Sequence, residues 1–456
     1  MTGETGDPRL PAFSGAAGPR VARIDADAWA AAGFVTLIVL VILGPILSTL
    51  SGDLSGEGNP LRQVSYLLAF ALLAAAGLRL ATLTAAFTTS APVNLLLIWC
   101  WASMAWAIAP GIGLRRLVLT CVIIYSVFIA VECLGRDRTR RYLITLLIVT
   151  FVLNLVAAVA IPGIGVHPAE AGRDAALVGN WRGIFPEKNL AGAVTAVTFL
   201  MVLFAREPGS RLLRFLLLAG LLFFLVRTES KTSVGIGALA LIAGVLHRRY
   251  DPRLWPLAML LAAALALGAA LLVQINLARL LALLDNQGFM TGRAQIWSSL
   301  LAYTGDNWPL GAGYGSFWNI GPGSPILSYA RSDSWLTDLA SGHNGYLDIT
   351  AQIGVPGLIL AVFALVVHPL GRLLTEREPT PDAPMLMAIL VFCAGQNLTE
   401  STMLDRDHVI QFCLIWTLAL IYHRRESGGA TPHSTAKHSE AAKGAAGAGA
   451  QETGSP

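Results

Sequence analysis

Residues Leu114–Ile161 read LRRLVLTCVIIYSVFIAVECLGRDRTRRYLITLLIVTFVLNLVAAVAI: two apolar runs, Leu114–Leu134 and Tyr142–Ile161, flanking the cluster Arg136, Arg138, Arg140 and Arg141. Each run is near the roughly 17–25 residues that an α-helix needs to cross the hydrocarbon core of a bilayer. Backbone in lipid must satisfy its own N–H and C=O groups, and a helix does so within one segment. The pair therefore predicts two transmembrane helices joined by a cationic, cytoplasmic turn.

Outward from this pair the pattern repeats. Further apolar runs lie at Ala28–Leu50, Val64–Ala86, Val93–Ala109, Asn189–Ala205, Leu212–Val226, Ser233–Leu246, Leu254–Ile275, Gly345–Val367, Met385–Gln396 and His408–Tyr422. The fold class expected is all-α, a polytopic membrane protein of about twelve transmembrane helices. Composition agrees: of 456 residues, 55% are hydrophobic and 13% charged, against about 25% charged in ordinary soluble domains. Mean hydropathy is +0.62. A net charge of +4, dispersed along the chain, gives no reason to expect a nucleic-acid partner. Cys100, Cys121, Cys133, Cys393 and Cys413 lie in or at the ends of apolar segments, without metal-ligand spacing or a disulfide framework, and read as small apolar residues.

The domain expectation is threefold. Residues 1–27 are polar and rich in Gly and Pro, without a secretory signal's apolar core, and read as a disordered cytoplasmic tail. Residues 28–423 form the membrane domain, and 424–456, rich in Gly, Ala, Ser and Thr, form a second disordered cytoplasmic tail. Arginine clusters recur in every second loop, which puts both termini in the cytoplasm. One pair, Arg115 and Arg116, falls on the outer side by this count and puts the third and fourth spans in question.

Four segments are left outside: Pro162–Lys188, Arg227–Thr232, the large loop 276–342 between spans nine and ten, and Asn397–Asp407. They hold nearly all the unusual chemistry. In the first, Arg182 and Lys188 precede Asn189, which sits where a helix cap belongs. A helix start exposes unpaired N–H groups, so this place suits a phosphate or diphosphate; equally, Arg182 and Lys188 mark an interface by snorkelling. The chain has 28 arginines and four lysines, and Lys188 and Lys231 are the two lysines outside the C-terminal tail. Arg227 and Lys231 either bind anions, with Glu229 orienting one of them, or form a self-neutralising solvated turn. The aromatics of the two long loops, among them Trp181, Trp297 and Trp318, either anchor an interface or offer flat faces to sugar rings.

The large loop closes with Ser341-Gly-His-Asn-Gly-Tyr-Leu-Asp348. His343 heads a transmembrane helix, where the helix dipole disfavours the imidazolium and predicts a neutral ring, able to act as a general base or as a plain capping group. Asn344 beside it is counted with the substrate-binding residues. Glu400 either pairs with an arginine, orients His343 or is an ordinary helix-end carboxylate. Asn397-Leu-Thr399 reads as a coincidental glycosylation sequon. His167 and His408 are isolated, so no metal site is expected.

Four of these motifs together resemble the O-antigen ligase and polymerase superfamily of bacterial membrane glycosyltransferases, most of all its exopolysaccharide-polymerase branch. They are Arg182-Gly-Ile-Phe-Pro-Glu-Lys-Asn189; Thr291-Gly-Arg293 with Trp297; Gly342-His-Asn-Gly-Tyr-Leu-Asp348 with Gly354; and Asn397-Leu-Thr-Glu-Ser401. The resemblance implies a helical membrane glycosyltransferase of the GT-C-like kind. It would act on undecaprenyl-diphosphate-linked oligosaccharide at the periplasmic face of the inner membrane, without metal or nucleotide sugar, alongside flippase and chain-length or export proteins. It also implies catalytic roles for Arg182 and Arg293 on the diphosphate and for His343 in acceptor activation, and it sets Lys231 where many relatives carry arginine. A ligase transferring finished glycan to lipid A core or protein is the alternative expectation, and a transporter or flippase of the same lipid-linked sugar a more distant one.

Overall fold

The computed structural model describes residues 19–51, 60–89, 91–169, 177–207, 209–276, 293–329, 340–378 and 380–423. Most of both expected tails, and residues 277–292 and 330–339 of the large loop, lie outside these residues. The described residues are helical and contain no strand, only an isolated bridge between Val166 and Trp181. The protein is an all-α polytopic membrane protein.

The helices are α1 Pro19–Ser51, α2 Pro60–Leu80, α3 Leu83–Thr89, α4 Ala91–Ala102, α5 Pro110–Ala160, α6 Pro162–Gly165, α7 Lys188–Ala205, α8 Arg211–Arg227, α9 Lys231–His247 and α10 Trp255–Ile275. They continue with α11 Arg293–Asp306, α12 Ile326–Tyr329, α13 Gly345–Val362, α14 His368–Thr375, α15 Ala383–Gln396 and α16 Val409–Tyr422. Five stretches are long and apolar enough to cross a membrane: Asp25–Ile46, Pro60–Leu80, Pro110–Ala160, Lys188–Ala205 and Gly345–Thr375. The difference from twelve has visible causes. α5 counts once although Gly135, at φ 76° and ψ 173°, divides it into the two expected runs. α4 ends at Ala102 rather than near Ala109, and a left-handed Ala81 separates α2 from α3 inside what reads as one run.

The core gathers where α1, α2, α5, α7, α15 and α16 meet, with Phe34 packed on Phe412 and Trp416 fully buried. A second apolar cluster belongs to the large loop. Ile296, Leu300 and Tyr303 of α11 pack on Phe317, Trp318 and Ala351. Tyr303 and Phe317 meet edge to face at 4.8 Å.

Two devices fix that loop on the membrane helices. Gly354 breaks α13 at φ 70°, a backbone that glycine adopts without penalty, and a Cβ there would strike the Pro309 carbonyl oxygen. The groups the break frees are taken up: Val355 N donates to Pro309 O at 3.0 Å, Ala312 N to Ala351 O at 2.9 Å, and Trp99 Nε1 to Ile353 O at 2.9 Å. The other device is Arg116, whose guanidinium donates to the carbonyls of Gly315, Trp318 and Asn319 at 2.7, 2.7 and 3.0 Å. Of the pair that broke the charge count, Arg116 is thus a buried clamp on the glycine-rich turn, outside a rule that concerns solvated charge, while Arg115 is exposed.

Candidate active site

At the loop end of α13, His343, Glu400, Arg293 and Asn189 meet. Glu400 Oε1 accepts from Arg293 Nη2 at 2.5 Å and from Asn189 Nδ2 at 2.9 Å, and its Oε2 faces His343 Nδ1 at 3.2 Å. The side chains of Arg293, Glu400 and His343 are 15%, 13% and 24% exposed, enough for contact with a ligand but little for bulk water. Four segments distant in sequence supply the four groups: the first turns of α7 and α11, the loop before α13, and the loop after α15.

Each group is held from behind. His343 has a left-handed backbone at φ 49°, which costs a non-glycine residue on the order of 1 kcal/mol and persists only where its surroundings impose it. Here they do. Gly342 N donates to both oxygens of buried Asp348, and the Gly342 carbonyl accepts from Trp297 Nε1 at 2.9 Å. On the other side Asn344 caps α13, its Oδ1 accepting from Tyr346 N and Leu347 N, while its own N–H donates to Ser401 Oγ at 3.0 Å. Gly345 N is shared by the carbonyls of Asn397 and Glu400, and a Cβ on Gly345 would collide with the Asn397 amide. Asn397 clamps the Glu400 loop in turn, accepting from Thr402 N and Met403 N and donating to Cys393 O and Thr402 Oγ1.

The electrostatics differ from the expectation drawn from the helix dipole. Burial is the largest influence on His343 and lowers its proton affinity, but the Glu400 hydrogen bond and charge outweigh it and hold the imidazole above its ordinary value. Glu400 is the converse. Burial, again the largest influence, raises it, yet His343 and Arg293 together hold it below the usual carboxylate range. The histidine is thus a stronger base than a bare capping residue. His408 contrasts with it: burial lowers its proton affinity, and its Nδ1 accepts from Ile410 N at 3.1 Å.

A cavity of 440 Å³ opens beside the cluster, lined by His343, Glu400, Asn189, Glu187, Arg62 and Asp407 among others. A second, of 340 Å³, lies across Ser341 and Ser401, which both cavities share, and is bounded by Trp318, Gln352 and Arg406. Arg62 donates to the Gly44 carbonyl at 3.0 Å and to Asp407 Oδ2 at 2.9 Å.

The remaining expected residues fall differently. Glu187, not Asn189, is the residue before α7 and makes no side-chain cap; Asn189 lies one turn position inside and turns its amide to Glu400. Lys188 is the first residue of α7. Arg182 Nε donates to the Ile164 carbonyl at 2.9 Å, and its Nη1 lies 3.5 Å from the Pro186 carbonyl, so it braces the loop that carries the cavity-lining Pro186 and Glu187. Arg227 is exposed, with its guanidinium 5.2 Å from the Trp181 ring, and Lys231 is exposed at the start of α9. Thr232 Oγ1 accepts from Thr399 Oγ1 at 2.8 Å, the link between that turn and the Glu400 loop. The rings of Trp297 and Trp318 carry structural hydrogen bonds, the latter from Nε1 to Asp348 at 2.9 Å.

Sequence reasoning gave no role to Asp348, Asn397 or Arg62. Asp348 carried one signal, a carboxylate three residues inside an apolar helix, where an unpaired charge is costly and asks for a partner. Asn397 was hidden behind the sequon, and nothing local marked Arg62.

Residues 213–362, 150 of the 456, match the family model described as O-antigen ligase. That stretch contains Arg293 and His343, whereas Asn189 and Glu400 lie outside it. The match supports the superfamily that the four motifs resemble, and with it lipid-linked glycan polymerisation or ligation in a membrane. No curated protein and no solved structure matches the chain.

Proposed function

We propose that this chain, with its O-antigen ligase domain, is a polymerase that joins undecaprenyl-diphosphate-linked oligosaccharide repeat units into a polysaccharide of the exopolysaccharide or O-antigen type, working at the periplasmic face of the inner membrane with both termini cytoplasmic. The observation that carries this reading is the Arg293–Glu400–His343 cluster, whose His343 and Glu400 line a cavity.

In this scheme Nδ1–H of His343 donates to Glu400, which leaves Nε2 to accept a proton, the same logic by which a carboxylate fixes the tautomer of a catalytic histidine. The acceptor hydroxyl of one unit attacks the anomeric carbon of another. Its proton passes to His343 Nε2, the new C–O bond forms, and the bond to the diphosphate breaks, with its electron pair leaving on the lipid diphosphate. Among the described residues Arg293 spends Nη2 on Glu400, which leaves Nη1 and Nε for a phosphate oxygen. Lys188, the first residue of α7, and Arg182, which braces the loop ahead of it through the Ile164 and Pro186 carbonyls, add positive charge on that side of the site. Two cavities that share Ser341 and Ser401 suit a reaction that brings two sugar chains to one base.

The test is a reconstituted assay with purified protein and a defined undecaprenyl-diphosphate oligosaccharide, read as a ladder of product lengths. A ladder from wild type that is lost in His343→Ala supports the polymerase. Transfer only when lipid A core or a protein acceptor is added makes it a ligase, the reading closest to the family's description. Normal ladders from His343→Ala would sink the mechanism.

A further inference from the structure

The bundle carries a third cavity, of 580 Å³, that the reaction does not use. It lies between the C-terminal ends of α7 and α9 and the start of α15, with Arg140, Arg206, Arg248, His247, Tyr250 and Asp382 among its lining. Asn189 and Ala205 sit 16 residues apart on α7, about 24 Å along a helix axis, so this cavity is at the opposite end of the bundle from His343.

Its charge is unbalanced. Asp382, Asp137 and Glu207 face Arg140, at 2.5, 2.9 and 3.6 Å, Asp382 also lies 3.8 Å from Arg136, and a further acid beside the lining, Asp251 next to Tyr250, accepts from the backbone N–H of Arg253 at 2.9 Å. Arg206 and Arg248 form no ion pair among the described residues; both are exposed, and Arg248 lies 4.8 Å over the Phe204 ring. Among the described residues, three lining groups have buried polar atoms without a hydrogen-bond partner: His247 Nε2, Tyr250 Oη and Arg140 Nε. The His247 and Tyr250 rings stack at 5.7 Å. Buried donors rarely go unpaired, and two arginine forks with imidazole and phenol donors match the oxygens of a phosphate. Just beyond His247, Val245 and Leu246 are 46% and 67% exposed, an apolar surface of the kind acyl chains cover.

We infer that this cavity binds one phosphate group through Arg206, Arg248, His247 and Tyr250, carried by the headgroup of an anionic phospholipid or free in solution. Basic pockets between membrane helices hold anionic headgroups in this way. The inference stands apart from the proposed reaction, since it rests on no residue of the His343 site.

The test uses the full chain in nanodiscs. Native mass spectrometry measures retention of phosphatidylglycerol against phosphatidylcholine, and inorganic phosphate is titrated by 31P NMR in phosphatidylcholine discs at constant ionic strength. Arg206→Gln with Arg248→Gln should weaken whichever ligand binds by about 30-fold, and Arg248→Gln alone by about 5-fold, at roughly 1 kcal/mol per arginine near a membrane surface. Arg211→Gln with Arg377→Gln, exposed and outside the cavity, is the control for diffuse charge. Selective retention of phosphatidylglycerol lost in the cavity pair assigns a lipid headgroup, and phosphate binding lost in the same pair assigns the free anion. Equal losses in both pairs, or binding of neither ligand, would overturn the inference.

Discussion

Two polar segments look alike in the sequence, Arg227–Ser233 and Gln396–Ser401: each interrupts apolar spans and each mixes charge with hydroxyls. In three dimensions they part. Glu400 is 13% exposed and is bonded at once by Arg293, Asn189 and His343. Arg227 and Lys231 point outward, and what the first segment buries is Thr228, Ser230 and Ser233, packed where Gly192 of α7 leaves room. The lesson is that charge at a helix end makes a site only where other elements close around it. The segment that lacks a cluster of cations is the one that organises the cations.

That contrast yields a graded set of outcomes, all read as turnover on a lipid-linked oligosaccharide. His343→Ala should cost on the order of 10²–10⁴, the usual worth of a general base, while the protein remains folded in the membrane. Arg293→Ala should cost on the order of 10²–10³, since it removes a fixed positive charge and loosens Glu400. Asn189→Ala removes one hydrogen bond to a carboxylate and should cost about tenfold, mostly in kcat. Arg227→Gln and Lys231→Gln should each stay within about threefold of wild type, as exposed substitutions do. A loss from Lys231→Gln equal to that from Arg293→Ala would erase the distinction between the two segments.

Much of this was legible beforehand. Paired apolar runs point to the all-α membrane class, and the polar outer segments single out His343, Asn189 and Glu400, with Arg293 added by the family resemblance. The same reading also singles out Arg182, Lys188, Arg227 and Lys231, which form no hydrogen bond or ion pair with Glu400 among the described residues. Periodicity does not reveal the breaks inside helices, because Gly135 and Gly354 act through a single backbone angle that hydropathy does not register. Nor does it reveal Arg116: a charge count treats every arginine as solvated, and this one spends its donors on three carbonyls of a distant turn. The proton affinity of His343 rests on more than the helix dipole, which alone would lower it, because Glu400 raises it. The helix dipole is legible from its neighbours in the chain, whereas orientation by Glu400, 57 residues away, stands in the sequence only as one of three alternatives, and its contact with His343 needs the fold.

The central claim is that Glu400 holds His343 as a strengthened base, and the pH dependence of kcat/KM tests it most directly. The base must be neutral to act, so activity falls as pH drops through the His343 value, and in wild type that acid limb should lie above the ordinary 6.5. In Glu400→Gln the hydrogen bond to a charged carboxylate and its charge are gone. Burial and Arg293 still lower the His343 value and the lesser influence of Glu187 alone raises it, so the limb should move to lower pH than in wild type, with a reduced plateau. An acid limb at the same pH in both proteins would contradict the account.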